Sequence, residues 1–159
     1  MMPLFEHYPA LRAYVPHVSL GQWPTPVERV ESLERAGNLG SLWIKRDDIS
    51  GQVYGGNKVR KLEFLIAEAR RRNCREVLTF GFAGSNHALA TAVYAHQLGM
   101  RSISMLLPQQ NATSVQTNLL ASHAYGAELH HYAGFASIAA GTLWQTVRHT
   151  LRHTRPPMI

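Results

Sequence analysis

Lys45, Lys58 and Lys61 are the only lysines among 16 basic side chains, and all three fall in one short window. Arginine can carry surface charge, but it neither forms a Schiff base nor gives up its proton at working pH. Lysine does both. Lys58 follows Tyr54-Gly55-Gly56-Asn57, a flexible approach to a helix start. Such a start offers free N–H groups and a positive pole, which suit a phosphate or a carboxylate. Burial beside Arg60 and Lys61 would lower the amine pKa and favour the nucleophile. The same spacing also fits an exposed lysine in a first helical turn.

A second segment, Gly81-Phe82-Ala83-Gly84-Ser85-Asn86-His87, lies between a short apolar run and an Ala-rich stretch. Its glycines let backbone approach a ligand, and Ser85 or Asn86 can cap the following helix. It lacks the G-x-G-x-x-G of a dinucleotide site, the G-K-[ST] of a P-loop and the G-x-S-x-G of a nucleophile elbow. An ordinary capped helix start fits it too. His149 and His153 stand four apart, and His130-His131 are adjacent. No carboxylate or cysteine cluster accompanies them in the sequence, since Glu128 is the only acid after Glu76. No metal is therefore assigned. Cys74 follows an arginine run that could lower its pKa, and otherwise reads as an inert thiol.

These residues need elements to position them. Prolines 3, 9, 16, 24 and 26 break up the start of the chain. The spacing predicts a helix over 27–36 stopped by Gly37, a strand over 42–46 and a loop over 47–56. A helix capped by Asn57 follows, with Val59, Leu62, Leu65, Ile66 and Ala69 as its stripe. Then come a strand over 76–82, a helix over 85–98 closed by Gly99, and a strand over 102–107. A helix over 112–125 closed by Gly126, a strand over 128–132 and a helix over 136–152 complete the pattern. The tail 152–159 fits neither a capped helix end nor an extension of a sheet. This alternation implies an α/β fold, a parallel sheet with flanking helices. Ligands bind at the carboxyl ends of such strands, which singles out the loops after Phe82 and before Asn57.

In order and context the motifs carry a resemblance. Ile44-Lys45-Arg46-Asp47-Asp48 and Tyr54-Gly55-Gly56-Asn57-Lys58-Val59-Arg60-Lys61-Leu62-Glu63, with Thr25-Pro26 upstream and Ser85-Asn86-His87 downstream, resemble the aminocyclopropane-carboxylate deaminase and D-cysteine desulfhydrase family. The resemblance runs from about Pro16 to the last helix. It implies the tryptophan-synthase-beta-like fold (fold type II) and pyridoxal 5'-phosphate as cofactor. Lys58 would attach the cofactor aldehyde, and Lys61 would lie near its phosphate. Asn86 would bond the ring's 3-hydroxyl oxygen. Ser85, with Asn86 and His87, would meet the substrate. The implied reaction removes ammonia from a small amino acid and leaves a 2-oxo acid, with the cofactor ring as electron sink and Lys58 moving protons.

Two departures qualify this. Gly84 stands where the deaminases usually carry Gln, and Ala88-Leu89-Ala90 follow His87. That drifts towards the Ser-x-Gly-Asn-His pattern of threonine dehydratases, so a threonine-dehydratase-like lyase is an alternative. The family's glycine-rich phosphate loop, and the later residues that contact the ring nitrogen, lie beyond anything present. The resemblance therefore implies a truncated, N-terminal portion: residues 1–57 a segment of an incomplete large domain, and 58–159 a small αβα domain. Such a chain would have reduced activity, or would be an inactive fragment or pseudoenzyme. A homo-oligomer is expected for the full-length enzyme.

Composition bounds the rest. With 159 residues, 45% hydrophobic and only 16% charged, the chain can bury a core, and disorder is excluded. A single cysteine excludes a disulfide-stapled module and suits a reducing cytoplasm. No signal-like segment and no membrane span is read. The net charge of +6 raises nucleic acid as a partner. However, the densest basic run, Arg70-Arg71-Arg72-Asn73-Cys74-Arg75, sits at a helix end, where cations complement the dipole, so no nucleic-acid role is assigned.

Overall fold

A computed structural model describes residues 2–153 and 155–158. A three-stranded parallel sheet in the order β3-β4-β5 carries the second half of the chain: β3 (Glu76–Phe82), β4 (Arg101–Leu107) and β5 (Glu128–His131). Helices α4 (Asn86–Gln97) and α5 (Thr113–Ala124) make the crossovers, α3 (Lys58–Arg71) leads in and α6 (Phe135–His153) follows. Gly99 and Gly126 close α4 and α5 with φ of +68° and +74°, a backbone state that favours glycine.

The period-two alternation of the strands separates two faces. Val77 pairs with Ser102 and Thr79 with Ser104, and Val77 packs with Val59, Leu62, Ile66, Ala90 and Tyr94 of α3 and α4. The small Ser102 and Ser104 let the alanines of α4 approach closely, and Ala88 to Ala95 of that helix are buried throughout. On the opposite face Leu78, Ile103, Met105 and Leu107 pack with Ile138 of α6. The result is the expected parallel sheet between helices. Each large side chain buried this way contributes about 1.5–3 kcal/mol.

Before α3, a short helix α1 (Pro3–His7) and a 3₁₀ turn (Pro9–Ala13) lead to an antiparallel pair, β1 (Val27–Arg29) with β2 (Trp43–Lys45). Helix α2 (Glu31–Gly37) lies between these strands. The single helix expected over 27–36 is thus corrected to a strand followed by a helix. Val27 and Val30 are β-branched, and a strand partner is at hand: the amide of Val30 donates to Leu42 O at 2.9 Å. Asn38, at φ +47°, caps α2 rather than Gly37.

Two contacts tie the ends of the chain to this frame. Glu63 of α3 is fully buried and accepts from the amides of Leu20 (3.0 Å) and Gly21 (3.1 Å) and from Trp23 Nε1 (2.7 Å). Its other oxygen lies 3.2 Å from His17 Nε2. At the far end Met158 forms a parallel bridge to Val77, receiving a 2.7 Å bond from Leu78 N and donating at 3.1 Å to Glu76 O. The tail therefore does pair with the sheet, contrary to expectation. Part of that tail, Thr154 and Ile159, lies outside the described residues.

Candidate active site

Lys58 is the first residue of α3, reached through a turn that only glycine permits. Gly56 has φ +104°, and its amide donates to Asp47 O (2.6 Å) and Ser50 Oγ (3.1 Å). A Cβ on Gly55 would lie 1.8 Å from Asp48 O. Asn57, expected as the cap, is itself in the right-handed helical region and makes no side-chain cap bond. The preceding turn has already bent the chain into helix geometry.

Arg60 also departs from expectation. It grips Asp47 with two bonds, Nη2 to Oδ1 at 2.7 Å and Nε to Oδ2 at 3.0 Å, and lies 3.9 Å over the Trp23 ring. The Arg60 hydrogen bonds hold the Asp47 carboxyl below its ordinary range against the effect of partial burial, with help from Thr25 Oγ1 at 2.9 Å. Its charge is therefore balanced locally and is not directed at Lys58. Lys45 meanwhile donates to the carbonyl of Thr25, which ties the Thr-Pro segment to β2. Lys58 is half-buried and Lys61 exposed, and neither has a partner among the described residues.

The 14 residues of α3 span roughly the same length as the seven of β3, at about 1.5 and 3.3 Å per residue. The helix runs back along the strand, so its first residue reaches the end of β3 where the second segment begins. There Ser85 caps α4, its Oγ accepting from Ala88 N at 3.2 Å. Of the two candidates, Ser85 is the cap and Asn86 the first helical residue. A Cβ on Gly81 would sit 2.5 Å from Ser85 Cβ, so the close turn requires glycine.

Two residues missed in the sequence fix this loop. Gln109 accepts from Gly84 N at 2.9 Å. Asn118 of α5 donates at 2.9 Å to both Gly84 O and Asn86 Oδ1. The second bond sets the Asn86 amide, leaving its Nδ2 to donate outward. Neither residue is near the motif in sequence, and only the α4–α5 crossover brings them there. His87 is half-buried and lines an apolar cleft with Leu62, Leu65, Phe80 and Thr91. Burial holds its pKa below the ordinary 6.5, and the charges of Lys61 and Lys58 push the same way. The fold thus brings Lys58, Lys61 and His87 into one field, beside the Ser85-Asn86 turn.

Residues 18–154 match the family described as "Pyridoxal-phosphate dependent enzyme". The chain belongs to this family. It is 42% identical over 98 residues to a protein of Pyrococcus abyssi named "Putative 1-aminocyclopropane-1-carboxylate deaminase", covering 61% of this chain and 29% of that one. It is 43% identical over 117 residues to the mitochondrial "Bifunctional D-cysteine desulfhydrase/1-aminocyclopropane-1-carboxylate deaminase" of Arabidopsis thaliana, covering 70% and 29%. A crystal structure of an ACC deaminase homologue superposes on 99% of this chain with a TM-score of 0.78 and 33% identity, covering 46% of that structure. The chain thus has the expected fold of these pyridoxal-phosphate enzymes and spans 29% of the length of the two relatives.

The donor set fits the family's cofactor. Lys58 offers an unpaired primary amine at a glycine-shaped helix start. Lys61 offers an exposed cation, and Asn86 an amide held with its NH₂ outward.

Proposed function

We propose that the chain supplies the cofactor-attachment half of a pyridoxal-phosphate lyase or deaminase acting on a small amino acid, of the D-cysteine desulfhydrase or aminocyclopropane-carboxylate deaminase type. The observation that carries this is the placing of Lys58 at the sheet end that also presents Asn86, with the Asn86 amide locked by Asn118. When bound, the cofactor supplies an electron sink for charge at the substrate α-carbon. The chain's own residues do the rest. Lys58 would hold the cofactor through its aldehyde, and its amine would serve as the base that moves a proton at the substrate α-carbon. Asn86 Nδ2 would donate to the ring's phenolic oxygen, and Lys61 would balance phosphate charge. Ser85 and His87 border the substrate, with His87 kept neutral by its surroundings.

The same proposal takes residues 58–159 as the small αβα domain and residues 1–57 as part of a larger one. It places the protein in the cytoplasm, as a homo-oligomer when whole. Among the described residues no helix is long and apolar enough to cross a membrane.

The test is to incubate the protein with pyridoxal phosphate, reduce with borohydride and map the modified peptide. Pyridoxyl on Lys58, lost in Lys58→Ala, supports the reading; no label, or label elsewhere, overturns it. Release of a 2-oxo acid from D-cysteine or aminocyclopropane-carboxylate supports the substrate class. Release from threonine alone would favour the dehydratase-like reading that Gly84-Ser85-Asn86-His87 suggests.

A further inference from the structure

At the opposite end of the sheet, β3 begins with a carboxylate that is buried against the last helix. Glu76 is 2% exposed and His149 of α6 is fully buried. Glu76 Oε2 lies 2.6 Å from His149 Nδ1, and Glu76 Oε1 lies 3.4 Å from Nε2 of His153, one turn further on. One donor atom from each of the three residues falls within 4.8 Å of the other two. In the sequence these histidines have no acid near them. The fold supplies one from the first residue of β3.

We propose that Glu76, His149 and His153 form a binding site for a divalent transition metal of the zinc class. The donor set is two imidazoles and one carboxylate, which suits zinc, copper or nickel over calcium or magnesium. Histidines at i and i+4 present their rings on one helix face. The spacing also fits. Ligand atoms bound at about 2.0–2.1 Å in tetrahedral geometry stand about 3.3 Å apart, close to the observed 3.4 Å between Glu76 Oε1 and His153 Nε2.

Among the described residues the buried His149 Nε2 has no hydrogen-bond partner, and Glu76 Oε1 has none beyond its ion pairs with Arg101 and His153. Charge is provided for as well. Glu128 Oε2 lies 3.6 Å from His149 Nε2, so two carboxylates face one cation. Glu128 is itself held by His130 Nε2 at 2.9 Å and Arg148 Nη1 at 2.8 Å, the outer contacts expected around a metal ligand. Arg101 lies 3.0 Å from Glu76 Oε1 and 3.9 Å from Glu128 Oε2 with its side chain 55% exposed, so a bound metal would displace it towards solvent. Metal here would pin α6 to the start of β3, far along the sheet from Lys58.

The test uses the untagged, metal-stripped 159-residue chain, with no pyridoxal phosphate, so its outcome is independent of the proposed enzymatic function. Cobalt(II) should give the visible absorption of a low-coordinate nitrogen–oxygen site at one equivalent. Zinc at a hundredfold excess over its Kd should raise the Tm by roughly 5 °C or more. Both effects should disappear in His153→Gln, a change at a partly exposed helix end. In Glu76→Gln cobalt affinity should fall at least tenfold. No cobalt band and no zinc-dependent Tm shift in the folded wild-type chain would overturn the proposal. So would full retention of both in a folded His153→Gln protein, which would put the metal on other histidines.

Discussion

His87 lies in a field where burial and two lysine charges act in the same direction, so its protonation is a direct readout of the site. Its folded pKa is depressed below 6.5, first by burial and then by Lys61 and Lys58. Below pH 6.5 the unfolded chain takes up a proton that the native imidazole resists, so stability falls as pH drops towards the native pKa. NMR titration should find His87 titrating below the ordinary 6.5, and Lys61→Gln should move it upwards. An unchanged His87 in that variant would remove Lys61 from the site. Asn118 makes a second prediction at this scale. Asn118→Ala releases the Asn86 amide, at a cost of about 1 kcal/mol, or roughly fivefold to tenfold in cofactor affinity. The pyridoxal-phosphate Kd checks it, with Asn86→Ala as comparison. Lys58, Ser85, Asn86 and His87 could be proposed from the sequence because each sits in a short motif of distinctive residue types. Asn118 and Gln109 were not. Their roles depend on a helix packed across from the loop, and nothing in their own neighbours announces it.

Helix α3 both begins with Lys58, the proposed attachment lysine, and anchors the N-terminal arm, so damage to its buried face should reach the proposed site. Glu63→Ala would strand the donors of Leu20, Gly21, Trp23 and His17. We expect a loss of about 3 kcal/mol, a Tm drop of roughly 6–12 °C. Glu63→Gln, which keeps an acceptor, should lose far less. Gly81→Ala tests the other element junction: its new Cβ would lie 2.5 Å from Ser85 Cβ and push the turn away. Pyridoxyl labelling of Lys58 should survive that change with weakened affinity, whereas thermal denaturation should show little loss from the sheet itself. Helix α3 was legible from its apolar stripe, α4 and α5 from the glycines that close them, and β3 and β4 from short apolar runs between helices. Residues 27–36 were misread because a three-residue strand leaves no period to detect, and its partner lies beyond the intervening helix. The Met158 bridge was hidden for the same reason: one residue of pairing has no pattern.

Over the whole molecule, the net charge of +6 is arranged so that much of it is consumed internally. Arg71 and Arg72 both bind Glu68, at 2.6 and 2.5 Å, so the basic run at the end of α3 is partly neutralised by its own helix. Arg29, Arg46, Arg60, Arg101 and Arg148 likewise face carboxylates. Arg70, Arg75, Arg152 and Arg155, with no carboxylate partner among the described residues, surround a polar hollow beside Asn73. Four phosphate contacts would give a salt slope of about −3.6, so raising salt from about 50 to 200 mM would cost roughly a hundredfold. We expect a patch of this size to release nucleic acid as salt approaches physiological strength. Filter binding of duplex DNA and of single-stranded RNA should therefore show retention only at low salt, with no sequence preference. A dissociation constant below a micromolar at 0.15 M would show that the charge is a working surface and that its pairing with carboxylates is incidental. Of these ion pairs, Arg29–Glu34 and Arg148–Glu128 hold a helix to a strand, and Arg101–Glu76 ties β4 to β3. Lys58 and Lys61 are thereby left as amines with no carboxylate partner among the described residues.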